Sequence, residues 1–173
     1  FGYGAYGTKD GVFKSQIGSG FRISKKTDTW VSGSFTDDIT EFADLTLLAD
    51  NKKFKLYDPR PFNISTFYSH QTYGLNFESK IIPQVETILN VAKSRINPLF
   101  DYVFQPNGQS VELYNLTLAS LSLEWSPYSI FLQSPQNILE VEKNYPKFLI
   151  ELTQALPNVL ESNLNFTKID TRI

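Results

Sequence analysis

The sequence predicts an all-β chain: an antiparallel up-and-down transmembrane β-barrel, and a segment of a larger barrel rather than a whole one. Three observations carry this. Between Gln71 and Arg95, Tyr73, Leu75, Phe77, Ser79 and Ile81 alternate with Gly74, Asn76, Glu78 and Lys80. After Pro83, Val85, Thr87, Leu89 and Val91 alternate with Glu86, Asn90 and Ala92. A period of two is the signature of a strand with unlike faces. Each run is about ten residues long, beyond the ~5–6 of an ordinary soluble strand and close to the roughly 9–11 that a tilted strand needs to cross a bilayer. Finally, 14 Phe, 9 Tyr and 2 Trp with little alanine favour strands over helices.

Composition bounds the chemistry. The 173 residues contain no cysteine, so a disulfide framework, a thiolate metal site and a thiol nucleophile are all excluded. The net charge of −2, without long runs of either sign, gives nucleic acid no phosphate-binding surface. No stretch of ~18 apolar residues could form a transmembrane helix, whereas a β-barrel hides its apolar residues among polar ones. The absent methionine, including at position 1, implies a start after processing or inside a longer protein.

The elements follow in order. Phe1 to Gly7 reads as a strand, and Lys9-Asp10-Gly11 as a turn. In Val12 to Ser24, Ile17, Phe21 and Ile23 oppose Gly18, Gly20, Arg22 and Ser24. Two glycines on one face fit a curved or crowded wall. Thr29 to Asp37 sets Val31, Gly33 and Phe35 against Trp30, Ser32, Ser34 and Thr36. Trp30 stands where an interfacial belt residue would sit, or serves as an ordinary surface or core tryptophan. A long connection, loop or short helix, is expected over about 37–61, since Asp58-Pro59-Arg60-Pro61 forbids regular pairing. Phe62 to Ser69 leads into the central pair. Asn107-Gly108 signals a hairpin between Leu99–Gln105 and Val111–Trp125. Within the latter run, Ala119, Leu121, Leu123 and Trp125 oppose Ser120, Ser122, Glu124 and Ser126. Ser134 to Asn144 reads as turn, Lys147 to Ala155 as strand, and Asn163 to Ile173 as a last extended run that stops in mid-pattern. Residues 1–173 thus read as one incomplete barrel domain.

Little in the chain points to catalysis. His70 is the only histidine, so neither a triad with a second imidazole nor a histidine metal cluster can form. It reads as a surface or strand-end residue. Asp37, Asp38, Glu41 and Asp44 supply oxygen ligands of the kind calcium takes, but they lack the spacing of a calcium loop and read better as a solvated acidic loop. Gly2, Gly4 and Gly7 loosely spell a dinucleotide fingerprint with no βαβ unit behind it. No catalytic residue, cofactor or metal is expected.

Several blocks stand out together. They are Tyr6-Gly-Thr-Lys-Asp-Gly, Pro61-Phe-Asn-Ile-Ser-Thr-Phe-Tyr-Ser-His, Ile96-Asn-Pro-Leu-Phe-Asp-Tyr, Leu123-Glu-Trp-Ser-Pro-Tyr, Tyr145-Pro-Lys-Phe and Lys168-Ile-Asp-Thr-Arg. The chain resembles the C-terminal half of a large Bacteroidetes family of outer-membrane proteins. In that family a carboxypeptidase-like regulatory domain precedes a β-barrel of unassigned function. The resemblance implies an outer-membrane location and a non-enzymatic role in envelope transport or assembly within a larger complex. Outer-membrane lipid and other envelope proteins are the partners it implies. On this reading Leu75, Phe77, Leu89, Val91, Leu121 and Leu123 face lipid, while Glu78, Lys80, Asn90 and Glu124 face the lumen. The alternative is a soluble all-β ligand-binding module, a sandwich or calyx whose apolar faces turn inward. An acidic pair in a cleft, for which only Asp37 and Asp38 offer themselves, would instead mean a hydrolase.

Overall fold

Strands with alternating faces become stable only when neighbours satisfy their backbone groups and keep like residues on like sides. A computed structural model describes residues 1–9, 12–41, 67–99, 113–135, 137–162 and 164–173. Among these there are ten strands and no helix. They are β1 (Gly2–Lys9), β2 (Val12–Ser24), β3 (Thr29–Glu41), β4 (Phe67–Ile82), β5 (Val85–Pro98), β6 (Tyr114–Trp125), β7 (Ile130–Gln133), β8 (Ile138–Glu142), β9 (Phe148–Ala155) and β10 (Thr167–Arg172). Eight of them form one antiparallel sheet in the order β1-β2-β3-β4-β5-β6-β9-β10, and β7 pairs with β8 alone. Each strand of the main sheet pairs with its chain neighbour, except that β6 skips the β7–β8 hairpin to reach β9. The chain is therefore an all-β, up-and-down antiparallel meander. Its sheet is open, with β1 and β10 at the edges, as a segment of a larger barrel would be.

The register aligns the faces. One cross-strand row runs Phe21, Val31, Phe77, Leu89, Leu121, Leu152, Ile169 through seven strands, and every member is apolar. One residue along each strand, the next row runs Gly20, Ser32, Asn76, Asn90, Ser120, Thr153, Lys168. The apolar row is exposed at every position but Val31, which is half-buried. On the polar side Ser122 is 1% exposed, Glu151 5% and Thr153 8%. A flat single layer would expose both sides alike, so one side is sheltered by curvature toward it. We call the sheltered side the inner face and the other the outer face.

Glycine makes room for that crowding. A Cβ on Gly18 would stand 2.5 Å from the Tyr3 ring, and one on Gly20 would stand 2.8 Å from the Phe1 ring. Real Cβ atoms do not approach so closely, so these aromatic rings can lie on the inner face only over glycine.

Several local expectations change. The connection expected from residue 37 begins later, because β3 continues to Glu41, pairing Asp37 with Gln71 and Glu41 with Phe67; β4 supplies backbone partners to a segment whose acidic side chains suggested loop. The rest of that connection lies outside the described residues, as does the Asn107-Gly108 turn. The stretch from Ser134 to Asn144 is not all turn, since Ile138 to Glu142 forms β8 against β7. The last extended run is shorter than expected, with β10 spanning only Thr167–Arg172. The alternation in β4 breaks at a register shift between Ser79 and Ile82, which leaves Ile81 and Ile82 both exposed. Ser79 is buried there, with its hydroxyl 2.8 Å from that of Thr29.

The Gly18–Tyr3 contact predicts that Gly18→Val lowers stability by about 1–3 kcal/mol through overpacking. Adding Tyr3→Ala should recover part of the loss. Urea unfolding of the two variants beside the parent checks this; a Gly18→Val chain as stable as the parent would refute the close approach.

Candidate functional site: the polar inner face

The inner face gathers most of the charged and hydroxylated strand residues, because period two sends every second residue there. Near the 25–28 turn, Arg22 lies 4.5 Å from the centroid of the Trp30 ring, and its Nε stands 3.3 Å from Asp28 Oδ1. Trp30 Nε1 donates to the same oxygen at 3.0 Å, and the Phe1 ring centroid lies 5.4 Å from that of Trp30. Trp30 thus serves as a partner within a polar cluster. Its register partner is Glu78, which places the indole on the inner face. The tryptophan of the outer face is Trp125, half exposed and stacked on Phe148 at 5.4 Å.

Lys80 Nζ lies 3.8 Å from Glu86 Oε2, and Glu86 pairs in register with Glu124. Lys147 then bridges Glu124 at 3.9 Å and Glu140 of β8 at 2.7 Å. Burial, the largest influence, pushes the Glu140 carboxyl up. Hydrogen bonds from Lys147 and Ser129 and the positive charges of Lys147 and Lys143 more than offset it, leaving the carboxyl below its ordinary value. In the middle of the sheet Asn76 and Asn90 are direct cross-strand partners, and the buried Oδ1 of each has no hydrogen-bond partner. Ser120 donates to Thr153 at 3.1 Å beside them. Toward the far end, His70 Nδ1 is 2.9 Å from Thr72 Oγ1, which is 2.8 Å from Ser94 Oγ.

The structure places the residues singled out in the sequence on two sides. Leu75, Phe77, Leu89, Val91, Leu121 and Leu123 share the outer face, and all but Leu123 are exposed. Glu78, Lys80, Asn90 and Glu124 lie on the inner face. Asp37 and Asp38 are consecutive in β3 and point to opposite faces, Asp37 accepting from Gln71 Nε2 at 3.3 Å. They can form neither a joint calcium site nor an acidic pair. Among the described residues no group of His, Asp and Glu is arranged to hold a metal ion. Sequence reasoning missed the Arg22–Asp28–Trp30 cluster and the Glu124–Lys147–Glu140 bridge. Arg22 and Trp30 fall on the same side in the alternation, but nothing in the sequence pairs Glu124 with Glu140.

A face of amides, hydroxyls and paired charges, backed by an apolar face, is what the wall of an up-and-down β architecture presents. The chain belongs to a family of unknown function: residues 2–173 match the C-terminal domain of that family, DUF5686. No curated protein and no solved structure matches the chain.

The ion pair on β8 gives a pH dependence. Because the folded Glu140 carboxyl titrates below its ordinary value, its contribution is complete above pH 4.5 and is lost as pH falls through the lowered folded value. Amide protection in β7 and β8 should therefore weaken on acidification. Glu140→Gln should show the weaker protection already at neutral pH, by less than about 1 kcal/mol, and respond little to acid. Hydrogen exchange across this range measures both effects.

Proposed function

We propose that this chain forms part of the wall of a bacterial outer-membrane β-barrel, with a non-enzymatic role in envelope transport or assembly within a larger complex. The carrying observation is the apolar row from Phe21 to Ile169, which runs along the outer face through seven strands and is exposed in all of them but β3. Monomeric soluble proteins rarely leave a contiguous apolar patch larger than a few hundred Å². In a bilayer the same row would be solvated by acyl chains, and the polar inner row would face a lumen. β2 to β6 each run 12 residues or more, enough to cross a bilayer when tilted. The motifs quoted above extend the proposal to Bacteroidetes outer-membrane proteins with a carboxypeptidase-like regulatory domain. The mechanism is passage or docking along the inner face, with lipid and other envelope proteins as partners. A soluble calyx would need a wholly apolar lining on the sheltered side, where buried Ile88, Leu149 and Ala155 are interleaved with buried Ser122, Glu151 and Thr153.

Extraction from isolated envelopes tests this. The chain should resist a carbonate wash, leave the membrane only with detergent and run heat-modifiably on a gel; release by carbonate as a soluble monomer would refute it. Neighbouring substitutions add a sharper test. Leu121→Arg, on the outer face, should cost about 2–4 kcal/mol in lipid, and Ser120→Arg, facing inward, much less. Equal effects would mean that the outer face meets water.

A further inference from the structure

Where the outer face turns from apolar to polar, it carries a cavity of about 410 Å³ lined by Gln71, Tyr73, Lys93, Arg95, Leu113, Asn115 and Glu161. The register explains its composition. Gln71, Arg95 and Asn115 form one outer row, Tyr73, Lys93 and Thr117 the next, and Leu75, Val91 and Ala119 the one beyond. Two cations two residues apart on β5 thus stand directly beside the apolar rows. The remaining wall comes from the turn after β9. Thr117, fully buried, donates its hydroxyl to the Val159 carbonyl at 2.9 Å, and its own carbonyl accepts from Leu156 N at 2.9 Å. Leu160 and Glu161 follow with left-handed φ values of 51° and 69°. That turn sets Glu161 Oε2 3.5 Å from Lys93 Nζ, with the Glu161 side chain 77% exposed. An ion pair so open to solvent is weak and readily exchanged for a better anion. Arg95 has no ion pair or hydrogen bond of its side chain among the described residues.

We infer that this cavity binds the anionic phosphate headgroup of a membrane lipid, whose acyl chains lie along Leu75, Val91 and Ala119. The inference rests on the reading that the outer face meets a bilayer. Lys93 and Arg95 supply the two charges, with the Arg95 guanidinium suited to grip phosphate oxygens in pairs. The Gln71 and Asn115 amides add neutral donors. Tyr73, 59% exposed, stands between the headgroup and the apolar rows, the position an interfacial aromatic takes. A free phosphate would meet the same cations but gain nothing from the apolar rows next to them. The lipid is therefore the occupant that uses the whole surface.

The full chain in detergent micelles, titrated with phosphatidylglycerol or with phosphatidylcholine of the same acyl chains and followed by native mass spectrometry, tests the inference. The chain should bind phosphatidylglycerol about tenfold or more tightly than phosphatidylcholine. Lys93→Gln with Arg95→Gln should abolish the preference while the protein still runs heat-modifiably. Glu161→Gln should strengthen phosphatidylglycerol binding, because it removes the competing carboxylate; a merely structural role for Glu161 would not do so. Equal binding of the two lipids, or a preference that survives the double substitution, overturns the inference. So does inorganic phosphate that competes at the same concentration as the lipid. A chain that fails to associate with micelles or vesicles at all overturns the membrane reading itself, whereas a chain that inserts without headgroup preference overturns this inference alone.

Discussion

Cross-strand register is the constraint from which the other features descend. Hydrogen bonding between strands fixes which residues stand opposite one another, and the pleat then sends alternate residues to opposite faces. A slip of one residue in β4 would move Leu75 and Phe77 inward among Ser32, Asn90 and Ser120, and would carry Asn76 and Glu78 out to the apolar row. Such a slip costs little in backbone hydrogen bonds and a great deal in side-chain environment. The side chains therefore hold the register, and the register in turn holds the two faces.

The same constraint shapes how polar groups are buried. Among the described residues, the buried polar side chains outnumber the buried hydrophobic ones. That is the reverse of an ordinary hydrophobic core. The inner face meets its costs locally, with Lys80 against Glu86, Lys147 between Glu124 and Glu140, and hydroxyl pairs such as Ser120 with Thr153. At Asn76 and Asn90 the cost is left unmet, since each keeps a buried oxygen unpartnered. A buried acceptor without a donor is costly, and water or a bound group in the inner space would relieve it. The edge strands β1 and β10 carry a related demand, since an unpaired edge is a template for a further strand.

The faces and the up-and-down order were largely legible in the sequence, and the register was not. Period two is written directly into β2 to β6, so the sides of Phe21, Leu75 and Leu121 could be read without knowing any partner. The β7–β8 hairpin escaped because its strands are four and five residues long and lie between polar stretches. The alternation sets Trp30 apart from Val31 and Phe35, and the register with Glu78 shows that its side is the inner one. The cavity at Lys93 and Arg95 was least legible. Its wall depends on Glu161, distant in sequence and brought close only by the pairing of β6 with β9.

The meander order has a kinetic consequence. Nearly every strand finds its first partner next to it in the chain, so the sheet can zip up from any hairpin rather than wait for distant ends to meet. Even the excursion over residues 126–147, which β6 and β9 must close across, raises the closure cost by only about 0.6 kcal/mol for each doubling of its length. Connections in this wall can therefore lengthen, shorten or acquire new hairpins over evolutionary time without disturbing the register they join.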